Sequence, residues 1–190
     1  MPQTDLLELA PTKTLKLVPE TDPILRRKAE KFDFQNLPIH PEELARQLAD
    51  TMVELKGLGL SACQVGLPYN VFVMGSGGGK VYACFNPRIV NYDPRKVKLN
   101  EGCLTFPNVF IEVERSAAIK VRFTHPSGET VTETFAGLTA RIFQHEYDHL
   151  QGVLFKDRVS PLTFDIARRK ARKAMRQGKG IKLEYNPLGN

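Results

Sequence analysis

The chain has 190 residues, of which 42% are hydrophobic and 25% charged, with a net charge of +6. This is the length of one domain with a substantial core and the composition of a soluble globular protein. It excludes fibrous and disordered classes, and no apolar run approaches the roughly 20 residues that span a bilayer.

The first residues, MPQTDLLELAPTKTLKLVPETDP, have no basic segment followed by an apolar one, so they do not read as a secretory signal. They carry acids and no Arg, which argues against an uncleaved transit peptide; a processed organellar form stays open. Cys63, Cys84 and Cys103 are too few and odd in number for a disulfide framework. They point to a reducing, cytoplasmic compartment and leave at least one thiol free.

Residues 1–22 lack periodicity and read as an extended arm. Asp22 then caps a short helix with Pro23 at its first position. In PEELARQLADTMVELKG, Leu44, Leu48, Met52 and Leu55 recur at helical spacing, with Gly57 at the stop. GLGLSACQVGLP is too irregular for a helix. NVFVMG and KVYACFNPRIVNY read as strands about an SGGG turn, and SAAIKVRFTHPSGETVTETF as a hairpin whose turn holds His125. AGLTARIFQHEYDHLQG predicts a second helix, with Leu138, Ile142, His145 and His149 on one stripe and Gly152 at its end. GVLFKD is a short strand candidate, and Pro161 opens a basic helix over 161–178. The order predicts an α+β fold with mainly antiparallel sheets and residues 1–190 as a single catalytic domain.

The second helix carries the chemistry. His145 and His149, four apart, project from one face and can bind one divalent ion. Glu146 is rotated by roughly 100 degrees, so it flanks the ion without ligating it and can act as general base. A catalytic ion takes a third protein ligand and keeps one open position. One source is downstream, Asp165 or Glu184, as in an HExxH metallo-endopeptidase, although little chain follows for the helical subdomain such enzymes use. The other is Cys103 in NEGCLTFP, since a thiolate with two imidazoles makes an open catalytic site. Taken alone, Cys103 reads as a small buried hydrophobe. Asp148 is expected to sit behind the ligands with Arg115 as its partner.

Three segments resemble motifs of the peptide deformylases. GLGLSACQ (57–64), EGCLT (101–105) and QHEYDH (144–149) are similar to that family's motifs in order and spacing, over residues 20 to 160. Ser61 and Thr105 depart from it, standing where the family usually has Ala and Ser. The resemblance implies antiparallel sheets packed around a central helix bearing HExxH, with a C-terminal helix. It implies Cys103, His145 and His149 as metal ligands and Glu146 as general base, then acid. Gln64 and the backbone N–H of Leu104 would hold the formyl oxygen, with Gly59, Leu60 and Gly102 lining the site. It implies one divalent ion per chain, Fe²⁺, replaceable by Zn²⁺, Ni²⁺ or Co²⁺. The substrate would be the N-formyl-methionyl end of nascent peptides. Leu58, Leu99, Leu138 and Ile142 are candidates for the methionine slot, and Arg141 lies close to it in sequence.

From Ile166 to Leu183 there is no acid, while Arg168, Arg169, Lys170, Arg172, Lys173, Arg176, Lys179 and Lys182 crowd together. This basic C-terminal segment fits a solvated face or contact with ribosomal RNA. It lacks the aromatic residues that sequence-specific nucleic-acid reading would use, and no membrane contact is expected.

Overall fold

The computed structural model describes residues 14–76 and 79–178. The arm's first 13 residues, Gly77 and Gly78 of the turn, Lys179, Lys182 and Glu184 lie outside the described residues.

Among the described residues, three α-helices and seven strands follow in the order α1 (Pro41–Glu54), β1 (Gly59–Ser61), β2 (Val71–Gly75), β3 (Val81–Tyr92), β4 (Lys96–Cys103), β5 (Phe106–Ser116), β6 (Ala118–Thr124), β7 (Thr130–Ala136), α2 (Gly137–Leu150) and α3 (Pro161–Arg176). Strands β1-β2-β3-β6-β7 make one antiparallel sheet, and β4-β5 a separate hairpin. The fold is α+β, as the element order predicts.

Strand alternation sorts the two central helices to opposite faces of the sheet. Leu60, Val71, Val73, Ala83 and Phe85 pack with Leu44, Leu48 and Met52 of α1. Phe72, Met74 and Cys84, one residue out of phase, pack with Ala140, Ile142, Phe143 and Leu150 of α2. Buried on both sides, β2 reads as the unbroken apolar run VFVM rather than as an alternation. A third cluster joins Phe106, Ile111 and Val113 of β5 to Phe155, Phe164 and Ala171, so α3 is docked on the hairpin.

Three local expectations are corrected. At the end of α1 the left-handed residue is Lys56, with φ 55°. The Lys56 N–H bonds the Val53 carbonyl, and Gly57 one position later bonds that of Met52. Gly57 is needed for closeness instead: a Cβ there would stand 2.7 Å from Leu104 Cδ1. GVLFKD is not a strand. Phe155–Arg158 is a 3-10 turn, because the Asp157 carboxylate accepts from the Leu154 N–H at 2.8 Å and closes the chain on itself. The short helix after Asp22 is likewise one 3-10 turn, Pro23–Arg26, and Asp22 caps it through the Ile24 N–H.

The described part of the arm and the turn that follows it, residues 14–29, form a strap. Leu15 N–H bonds Thr51 Oγ1, Val18 N–H bonds the Gln64 carbonyl, and Ala29 N–H bonds the Leu150 carbonyl. Glu20 pairs with Arg168 of α3. These contacts tie α1, the segment after β1, the end of α2 and α3 to one stretch of chain. At the end of α2, Gly152 adopts φ 72° where a Cβ would lie 2.7 Å from the Arg26 carbonyl oxygen, so the strap and the helix end approach too closely for any side chain.

Candidate active site

Three elements converge. Helix α2 supplies His145, Glu146 and His149, all buried. Strand β4 delivers Cys103 at its last residue, where the register with β5 slips between Gly102 and Cys103. The slip re-aims the thiol, as such irregularities do. Gly102 permits it, since a Cβ there would meet Phe110 Cε1 at 2.4 Å. The 3-10 turn Ala62–Val65 after β1 supplies Gln64.

Cys103 Sγ lies 3.3 Å from His149 Nε2. The donor atoms of Cys103, His145 and His149 all fall within 4.8 Å of one another. A tetrahedral ion with sulfur and nitrogen ligands separates those donors by about 3.6 Å, so the group fits a metal. Burial would raise the Cys103 thiol, but the imidazoles of His149 and His145 overcome it and hold the thiol well below its ordinary value. The other two cysteines differ: burial pushes Cys63 up to about 12 and Cys84 well above the usual thiol range. Among the described residues only Cys103 has the thiolate character a metal ligand needs.

Glu101 orients His145. Its carboxylate lies 3.0 Å from His145 Nδ1 and accepts from Arg115 Nε at 2.6 Å, Arg115 Nη2 at 2.9 Å and Arg141 Nη1 at 2.9 Å. A proton fixed on Nδ1 leaves Nε2 with its lone pair towards the cluster. Desolvation works to raise the Glu101 pKa, but the bonds from His145 and Arg115 prevail and lower it strongly. Arg115 also donates to Asp148 Oδ2 at 2.7 Å, the partnership expected from the sequence, and Arg158 closes on the same carboxylate. Arg141 points inward and also bonds the carbonyls of Val113 and Val97, binding α2 to the hairpin.

Glu146 is enclosed beside the cluster. Burial raises its pKa, against the pull of His145 and His149. A Cβ on Gly59 would fall 2.4 Å from Glu146 Oε1, so only glycine lets β1 pass the carboxylate. The Gln64 side-chain oxygen accepts from the Ser61 N–H at 2.8 Å. That turns its NH₂ towards Thr105 Oγ1 at 3.1 Å and Cys103 Sγ at 3.6 Å. Leu104 lies in the two-residue link between β4 and β5, beside Cys103.

Of the apolar candidates, Leu58, Leu138 and Ile142 share the α2 cluster. Leu99 lies outside that cluster, 43% exposed, two residues before Glu101 and on the same side of β4. Leu60 is buried in the α1 cluster, on the opposite side of β1 from Ser61, so only its main chain is left to face a substrate. Asp165 faces solvent on α3, 62% exposed beside Arg169, and is not in the ligand cluster. Sequence reasoning gave Glu101 no role and named Ser61 only as a departure from the motif. Glu101 was signalled by its place in the EGCLT segment that carries Cys103.

Residues 14–165 match the family model described as polypeptide deformylase. The chain is 46% identical over 152 residues to a peptide deformylase of Thermotoga petrophila, covering 78% of this chain and 89% of that protein. It is 41% identical over 160 residues to the chloroplastic/mitochondrial peptide deformylase 1B of Arabidopsis thaliana, covering 81% of this chain and 57% of that one. The crystal structure of the Thermotoga maritima peptide deformylase superposes with a TM-score of 0.71 at 40% identity, covering 79% of this chain and all of the other.

Proposed function

The chain belongs to the polypeptide deformylase family and is an enzyme of that family; from this premise we propose that it removes the N-formyl group from the N-terminal methionine of newly made polypeptides and releases formate. The observation that carries the reading is the convergence of Cys103, His145 and His149 within 4.8 Å, with Glu146 next to His145 in the chain and buried. Residues 1–190 act as one catalytic domain.

Cys103, His145 and His149 would hold one divalent ion, Fe²⁺, with Zn²⁺, Ni²⁺ or Co²⁺ able to replace it, since thiolate and imidazole donors suit both iron and zinc. When bound, the ion supplies a water of lowered pKa and polarises the formyl carbonyl. Glu146 accepts the proton of the attacking water and passes it to the departing amine. The Gln64 NH₂ and the Leu104 N–H donate to the oxygen as negative charge grows there, each donor contributing about 3 kcal/mol in the transition state. Glu101 keeps His145 in the tautomer that ligates. The formyl carbon bears only hydrogen, so a narrow site admits it and rejects longer acyl groups. Leu58, Leu99, Leu138 and Ile142 would form the apolar wall offered to methionine, next to Gly59, Leu60 and Gly102.

Formate release from formyl-Met-Ala by anaerobically purified protein tests this. Release should stop with a chelator and return with added metal, and Cys103→Ala should abolish metal binding. Cleavage of internal peptide bonds without formate release, with metal retained in Cys103→Ala, would favour the endopeptidase instead.

Nascent-chain work takes place at the ribosome, in a bacterial cytoplasm or an organelle. Among the described residues no helix is long and apolar enough to cross a membrane. The exposed Arg169, Lys170, Arg172, Lys173 and Arg176 of α3 are the surface we assign to ribosomal RNA. Because Phe164 and Ala171 of that helix are buried, charge-reversing substitutions are the test and truncation is not. Unchanged ribosome binding at low salt would remove this contact from the proposal.

A further inference from the structure

We propose that Ser61, one of the two positions where the chain departs from the family motif, positions the Glu146 carboxylate. Ser61 is fully buried, and its Oγ donates to Glu146 Oε2 at 2.7 Å. The next acceptor, the Glu146 carbonyl oxygen, is farther away at 3.2 Å. One hydroxyl proton serves the shorter bond, which a carboxylate acceptor also makes the stronger. The other carboxylate oxygen, Oε1, lies against Gly59, where a Cβ would fall 2.4 Å from it. A bare Cα and a hydroxyl from the same strand, β1, therefore bound the two oxygens of Glu146.

A glutamate side chain has three soft torsions, and a proton carrier must occupy the same place when it receives a proton and when it delivers it. General-base efficiency depends on that geometry. Ser61 removes the torsional freedom without taking part in the transfer: its own proton stays on Oγ throughout, while the transferred proton passes from water to Glu146 and on to the amine. The Ser61 main chain meanwhile sets the Gln64 amide through its N–H. One residue thus fixes two groups of the candidate site, the carboxylate by side chain and the amide by main chain. Only the first is lost on substitution.

The inference rests on the deformylase reading, and its test separates the two. In Ser61→Ala, kcat per bound metal should fall about tenfold, a fraction of what a general base contributes. KM and metal affinity should stay within about twofold, because neither depends on where a non-ligating carboxylate points. Ser61→Cys fills the same space with a weak donor and should fall with Ser61→Ala, whereas Ser61→Thr keeps the hydroxyl and should recover the rate. A crystal structure of metal-free Ser61→Ala should show Glu146 displaced or in several rotamers. Unchanged kcat in both Ala and Cys variants, with Glu146 in place, overturns the proposal. If the parent protein releases no formate, the functional reading fails, and the crystal structures alone decide whether Ser61 holds Glu146.

Discussion

Helix α2 is held by two unlike neighbours. Towards the five-stranded sheet it presents Ile142, Phe143 and Leu150, and Phe143 meets Phe72 edge-on at 5.0 Å. Towards the β4-β5 hairpin it presents Arg141, His145 and Asp148, all joined through Glu101 and Arg115. The sheet side is area, which is strong but undirected. The hairpin side is charge and hydrogen bonds, costly to bury and demanding in direction. The directional side is also the one that aligns His145 with Cys103. Stability and ligand placement are therefore divided between the two faces of one helix.

Breaking the charged side should cost most, in both stability and function. Arg115→Met leaves Glu101 and Asp148 short of their shared cation inside the protein. We expect a loss of about 3–5 kcal/mol in denaturant unfolding and a loss of about 10–100-fold in metal affinity by chelator competition. Phe143→Ala should cost about 3 kcal/mol through lost contact and a cavity, yet leave metal affinity per folded molecule within about twofold. Equal losses of metal affinity in both variants would erase the division. Glu101→Gln sharpens it through pH, with an expected cost of about 2 kcal/mol at neutral pH. Glu101 has a lowered folded pKa, so its stabilisation is complete above its ordinary value of 4.5 and fades as pH falls through the folded value. The metal-free parent should therefore lose stability progressively as pH falls below 4.5, and Glu101→Gln should show a flatter acid limb in pH-dependent unfolding. The smallest effect belongs to an exposed pair. Arg26 meets Asp157 at 2.5 Å, but both side chains are well exposed, so Arg26→Ala should cost less than about 1 kcal/mol and vanish in high salt.

Elements with one apolar face were legible in the sequence. The stripe of α1, the alternation of β6 and β7 and the pattern of α2 come through because burial imposes a period. The HExxH spacing and the thiol upstream were readable because helix geometry and ligand chemistry are both short-range rules. What failed lacked such a rule. Strand β4 is exposed along KVKLN, so no buried face marked it as a strand. GVLFKD looked like a strand by composition until Asp157 turned back on the Leu154 N–H. Glu101 and Ser61 were hidden differently: each matters through one partner in a distant element, His145 or Glu146, and a single long-range pair leaves no period.

The strap has a consequence for how the molecule is made. It leaves the translation machinery early, but Glu20 waits for Arg168, 148 residues later in synthesis. Ala29 likewise waits for Leu150 at the end of the helix that carries both histidines. Folding that proceeds from the first residues onward can fasten Leu15 and Val18 early, to Thr51 and Gln64, but it completes this end only when almost the last segment arrives.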